Sequence, residues 1–210
     1  RERRRTEILH VLGQGLRIPC YIVLLFLMAV TVIEVGFVIY ESARRMGSDK
    51  IHTVELLHDL RGQSPDDMRA ILDEEPFLNR QKLVFSKLLN TADLPEETRL
   101  AAARRMLESE EDYYNRILRI TDTVAKLGPM FGLLGTLIPL GPGVVALGQG
   151  DTVTLSQSMS IAFDTTIAGI ITAAICAVIS TIRKRWYASD MADVEAIMEG
   201  CLQEMKEVEQ

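Results

Sequence analysis

The chain has 210 residues and a formal net charge of −6, with 48% of its residues apolar and only 6% aromatic. As averages these values fit an ordinary soluble domain, but the 25% of residues that are charged are spread so unevenly that a simple soluble globule is excluded. A nucleic-acid footprint is excluded too, because Arg1, Arg3, Arg4 and Arg5 are too few and too terminal to make a basic surface.

Residues 1–18 carry the arginine run together with Ile8, Leu9, Leu12 and Leu16. They read as a surface segment, either a solvated end or a short amphipathic helix on lipid headgroups. Residues 19–40 follow as a first transmembrane helix. From Cys20 to Tyr40, 18 of 21 residues are apolar and Glu34 is the only charge. A bilayer core needs roughly 20 such residues. The apolar core of a cleaved signal peptide is shorter and earlier than this one, so the segment reads as a permanent span.

Residues 41–126 reverse the pattern. Within 41–125 there are 13 Lys/Arg and 17 Asp/Glu, a net of −4, as expected for a water-facing helical domain. Ser64 followed by Pro65, Asp66 and Asp67 reads as an N-cap with proline in the first turn. A further helix start lies near Asp93 to Glu97, and no glycine or proline interrupts the chain from there to Leu127. That helix is expected to rise directly into the second span.

The 56 residues between Lys126 and Arg183 carry two charges, Asp151 and Asp164. Gly141, Pro142, Gly143, Gly148 and Gly150 are turn material, so the block divides into transmembrane helices at 127–147 and 160–182 around a short external loop, 148–159. The external end of the second span is expected to be kinked or shortened at Pro139. Residues 183–210 continue as a C-terminal helix, in which Tyr187, Met191, Val194, Met198, Cys201, Met205 and Val208 alternate steps of four and three. This repeat fits a helix seam between chains and, equally, one amphipathic helix lying on its own loop domain. Basic residues flank the 41–126 segment and follow the third span, and none lies between spans two and three. The large loop and the C-terminus are therefore expected in the cytoplasm and the N-terminus outside. The external arginine run opposes this orientation.

Little here points to catalysis. Cys20, Cys176 and Cys201 are far apart, His10, His52 and His58 have no ligand spacing, and no phosphate loop, nucleophile elbow or zinc motif occurs. No metal, no cofactor and no enzyme activity are expected. The hairpin is more informative. Gly128 and Gly132 form a GxxxG with Gly135 one turn on, and Thr165, Gly169, Ala173 and Ala177 recur every four residues, a composition that lets helices approach closely in lipid. Thr136, Thr165 and Thr166 are polar groups within the spans, and a threonine hydroxyl there is often bonded back to its own helix. Asp164 beside them marks an ion or proton route, or else a carboxylate near the interface. Glu34 is the only charge in its span.

The run from Gly128 through Pro129, Met130, Phe131, Gly132, Leu133, Leu134, Gly135 and Thr136 to Leu137 resembles the second-span signature of the MotA/TolQ/ExbB proton-channel family. Ala162, Phe163, Asp164, Thr165, Thr166, Ile167, Ala168 and Gly169 resemble its third-span signature. The layout is similar to the three-span TolQ/ExbB branch rather than the four-span MotA branch. The resemblance implies an all-α integral membrane protein with three transmembrane helices and long cytoplasmic helical extensions, assembled as an oligomeric ring, usually of five copies. It implies a cell (inner or plasma) membrane location and two copies of a single-span TolR/ExbD/MotB-like partner that carries an essential aspartate. Thr136 and Thr166 match the family's pore threonines, and Gly132, Gly135 and Gly169 its packing glycines. The chain departs from the pattern in two ways. Ile161 stands where a glutamate is common and Asp164 where an apolar residue is usual, and Pro139 stands where a glycine often follows three residues after Thr136.

On this resemblance the expected function is that of a stator-like ring subunit in a motor driven by ion motive force. Its proton or sodium path would be lined by Thr136, Thr166, Thr165 and Asp164. Two alternatives remain open: a membrane scaffold that passes no ions, and a homo-oligomeric channel that conducts unaided.

Overall fold

The computed structural model describes residues 15–46 and 53–208. Six helices make up nearly all of these: α1 (Arg17–Met46), α2 (Thr53–Asp59), α3 (Pro65–Glu74), α4 (Asn79–Leu89), α5 (Glu96–Gly148) and α6 (Thr152–Val208). The fold is all-α. The arginine run with Ile8, Leu9 and Leu12 lies outside the described residues, while Leu16 is exposed. α1, α5 and α6 each contain a stretch long and apolar enough to cross a bilayer, which makes the chain a multi-pass membrane protein. It divides into two compact units, one ending at Tyr40 and resuming over Leu118–Ile182, the other formed by Glu41–Ile117 and the residues from Arg183 onward.

In the first unit large apolar side chains point outward, among them Leu25, Phe26, Phe37, Leu133, Val144, Phe163, Ile171 and Val178. In water this would be an adhesive surface, whereas lipid solvates it. What turns inward is smaller and more polar. α1 buries Cys20, Leu24, Leu27, Thr31 and Glu34, spaced by four and three residues so that they share one face. Leu27 packs with Val124 and Cys176, the Cys20 thiol reaches the Phe131 carbonyl at 3.5 Å, and Thr31 Oγ1 lies 3.3 Å from Cys176 Sγ. As α1 descends from Cys20 to Leu27, its neighbours on α5 change from Phe131 to Val124, so the two helices are antiparallel.

α5 runs unbroken through Pro129, Pro139 and Pro142 to Gly148 and is not cut short at Pro139. Each proline removes one N–H, leaving the carbonyls of Ala125, Gly135 and Ile138 without their usual donor. Neighbouring helices and local adjustment make such losses tolerable in a spanning helix. The chain then reverses over Gln149–Asp151, helped by Gly150 at φ 78°. Asp151 Oδ1 accepts from the backbone N–H groups of Val153 (3.2 Å) and Thr154 (3.0 Å). That cap starts α6 at Thr152, so residues 152–159, expected in a loop, are already helical.

The α5–α6 hairpin is packed backbone to backbone. A Cβ added at Gly169 would lie 2.5 Å from the Gly128 carbonyl oxygen and 2.9 Å from the Gly132 Cα, and one at Gly135 would lie 2.7 Å from Thr165 Cβ. Gly143 meets Ser158 in the same way. The expected small-residue face is buried at Thr165 and Ala173, but Ala177 is exposed and Cys176 takes its place at 0% exposure. A strict four-residue step overshoots the 3.6-residue turn by about 40° each time, so the stripe rotates out of the interface.

The second unit has an ordinary apolar core. Leu56 and Leu60 of α2 and its end, Met68 and Leu72 of α3, and Val84, Phe85, Leu88 and Leu89 of α4 pack on Val194, Ile197, Met198, Cys201 and Met205 of α6. The four-and-three repeat of the C-terminal helix is therefore covered by the chain's own loop helices, as in the single-helix alternative. Ser64 caps α3 as its sequence predicts, accepting from the Asp67 N–H at 3.3 Å. A polar belt joins α1 to α6 within this unit: Arg45 holds both Asp190 oxygens (3.0 and 2.6 Å), and Glu41 forms an ion pair with Arg183 at 3.3 Å and accepts from Tyr187 at 3.4 Å.

Leu88 is fully buried, so Leu88→Ala should destabilise the second unit by about 2–5 kcal/mol, read as a lower denaturant midpoint of the detergent-purified protein. Gly169→Leu should abolish the folded hairpin, while Gly141→Ala, at a position with no atom within 4 Å of the new Cβ, should leave the thermal midpoint unlowered. Equal midpoints for the two glycine variants would contradict the packing described.

Candidate ion-path site

The three threonines of the hairpin surround its tightest contact. Thr165 lies in the contact itself, 9% exposed, and donates to the Ala162 carbonyl at 2.9 Å. Thr136 donates to the Leu133 carbonyl at 2.6 Å. Thr166 instead reaches across to α5, its hydroxyl 3.5 Å from the Gly132 carbonyl. Both Thr136 and Thr166 remain half-buried in the single chain.

Helix geometry decides which of these side chains share a side. Gly135 faces Thr165, and each helix turns about 100° per residue. Because α5 and α6 are antiparallel, one step forward along each carries its side chain to the same side of the hairpin. Thr136 follows Gly135 and Thr166 follows Thr165, so the two hydroxyls flank one edge of the contact, about 3 Å apart in height. Asp164 precedes Thr165 and steps to the other side, roughly 160° round α6 from Thr166. It is exposed, as is Phe163 next to it. The structure thus brings Thr136 and Thr166 together and leaves Asp164 on the opposite face. α1 packs on the Asp164 side, since its contact at Phe131 precedes Gly132.

Gly128, Gly132, Gly135, Gly169 and Ala173 all lie in the contact that holds this arrangement. Several buried polar groups stand apart from it. Ser180, 3% exposed, donates to Asp122, Thr121 bonds back to the Leu118 carbonyl at 3.0 Å, and Thr172 is 3% exposed. Glu34, 7% exposed, faces the bundle interior alongside Thr31 rather than standing alone. Spacing contained part of this signal. Ser180 lies seven residues beyond Ala173 on the inward face, and Glu34 lies three beyond Thr31. Without the register of the three helices, neither spacing identifies a partner on another span.

The site holds hydroxyls and carbonyls but no fixed charge on the threonine side. Each threonine oxygen that donates to a carbonyl keeps lone pairs that accept from water or a hydrated proton. Among the described residues no group of three His, Cys, Asp or Glu side chains is placed to hold a metal ion. The three cysteines are buried and unbonded, and His58 is exposed, while His10 and His52 lie outside the described residues. Asp151, at the turn, is held below the usual carboxylate range, first by the Thr154 hydroxyl and then by the Thr154 and Val153 N–H groups, as befits a helix cap.

No curated protein matches the chain significantly. The model of the MotA/TolQ/ExbB proton channel family matches residues 73–196, more than half of the sequence, including the glycine-packed hairpin and the threonines beside it. That family comprises channel components rather than enzymes. With both spans of the glycine-closed hairpin and its charge-free threonine edge within the matched region, and a third apolar span ahead of it, the chain belongs to the MotA/TolQ/ExbB proton channel family.

Proposed function

We propose that the protein is the ring subunit of a motor driven by ion motive force. Copies of the chain, five in the arrangement usual for the family, surround two copies of a single-span TolR/ExbD/MotB-like partner. Ions pass between the partner's aspartate and the edge of the hairpin that carries Thr136 and Thr166. Ion passage turns the ring relative to the partner and delivers mechanical work across the envelope. The large helical loop and the C-terminal helix lie in the cytoplasm, a reading supported by Arg116, Arg119, Arg183, Lys184 and Arg185 beside the spans.

The observation that supports this reading most is that Thr136 and Thr166 share one side of the hairpin, within a helical turn of each other. A carboxylate on a partner helix needs a facing surface that accepts and donates protons without capturing the ion. Two hydroxyls, each able to do both, supply that surface with no fixed charge of their own. Asp164, on the far side of α6, stands outside this path.

The test is proton uptake into vesicles containing the chain purified together with its co-purifying single-span subunit. Thr166→Val should slow uptake about tenfold, the worth of one hydrogen bond lost at a conducting position. Thr166→Ser, which keeps the hydroxyl, should conduct nearly as well as the parent. Vesicles that stay proton-tight with the intact complex would turn the assignment toward a scaffold. Uptake at full rate without the single-span subunit would turn it toward a self-sufficient channel.

A further inference from the structure

Asp164 has a candidate partner on its own side of the hairpin. α1 packs there, with Cys20 against the carbonyl of Phe131. Arg17 lies one turn before Cys20 on α1. Gly135, which meets Thr165, lies one turn after Phe131 on α5. Since α1 and α5 run antiparallel, these two turns lead in the same direction. Arg17 and Asp164 therefore stand at one height to within about a helical turn, roughly 5 Å.

Both side chains are exposed, and the structure shows neither in an ion pair within 4 Å, with each other or with another described residue. The Arg17 guanidinium lies 5.9 Å from the ring centre of Tyr21. The exposed residues around them on α1, α5 and α6 are mostly apolar, namely Ile18, Ile22, Leu137, Phe163 and Ile167, with the hydroxyl of Ser160 one turn before Asp164. A lone charge in such surroundings is expensive in a bilayer and by default finds a partner. Arginine suits the task, because it stays charged, reaches far and offers several N–H donors to a carboxylate.

We propose that Arg17 is the counter-ion of Asp164 within the same chain. The pair ties the first turn of α1 to α6 and makes Asp164 a structural charge rather than an ion carrier. It explains why a carboxylate occurs in so uncharged a stretch. It does not depend on the ring or on the partner subunit.

A charge-exchange series in the full chain tests the pair. Arg17→Gln and Asp164→Asn should each raise the unfolded-to-folded ratio in mixed micelles, roughly threefold to tenfold. The double variant should be no worse than either single one, and Arg17→Asp with Asp164→Arg should recover most of the loss. Additive losses, or a charge-exchanged chain no better than the single variants, would overturn the proposal. Where it is located is read with Arg17→Cys/Asp164→Cys and a short bifunctional thiol reagent in native membranes, with the parent chain as control for its buried cysteines. A faster-migrating monomer supports a pair within one chain, whereas crosslinked dimers would assign the contact to a second copy and overturn it. An Asp164→Asn protein that folds and assembles like the parent but no longer passes protons would also sink it.

Discussion

The absence of side chains at Gly128, Gly132 and Gly169 is the constraint on which the membrane unit depends. With any larger residue at these places α5 and α6 would separate, since an added Cβ at Gly169 would already lie 2.5 Å from a carbonyl oxygen. In lipid the hydrophobic effect does not drive helices together, so contact area and close approach have to supply the attraction. Close approach also fixes register. Once Gly132 lies against Gly169, Gly135 must lie against Thr165, and the next residue on each helix is a threonine turned to the same side. The placement of the candidate site thus follows from packing, with no separate device needed to align the hydroxyls.

The same register separates two kinds of polar chemistry. On the α1 side lie the charged residues Arg17 and Asp164, with Glu34 further along. On the other side lie Thr136 and Thr166, whose hydroxyl protons go to the carbonyls of Leu133 and Gly132. A hydroxyl satisfied by a carbonyl of the hairpin costs little to carry into a bilayer, whereas a carboxylate alone costs much. The protein carries both types in one short segment and directs them apart. The second unit treats charge in another way, gathering Glu41, Arg45, Arg183 and Asp190 into one connected belt where each cation faces a carboxylate.

The sequence made some of this legible and hid the rest for physical reasons. Three spans were readable because lipid imposes a composition on every residue that crosses it, and the caps at Ser64 and the turn at Gly150 were readable because few residues meet those geometries. The tight glycine contact was readable too, since spacing alone puts Gly128 and Gly132 on one face. Ala177 falls outside the contact, because a four-residue repeat drifts while the interface stays straight. Pro139 does not cut α5 short, because the loss of one donor is small in a helix with neighbours on its side. The relation between Asp164 and Thr166 is the most instructive case. They are two residues apart in sequence and nearly opposite in space, and only the facing of Gly135 on Thr165 shows which of the two shares a side with Thr136.

If ions pass along the threonine edge, the lack of fixed charge there has a mechanistic consequence. A carboxylate on that edge would hold a proton or a cation and compete with the partner's aspartate for it, and a basic group would repel the ion from the whole path. Hydroxyls and bare carbonyls do neither, because they stabilise a passing charge through dipoles that are present in every state of the cycle. In the proposed motor the affinity of the path would then be set by the moving partner, so that binding and release would follow its position relative to the ring. Asp164 could serve such a cycle only by being kept away from it, and its place across the helix, on the side of α1, does this by geometry alone.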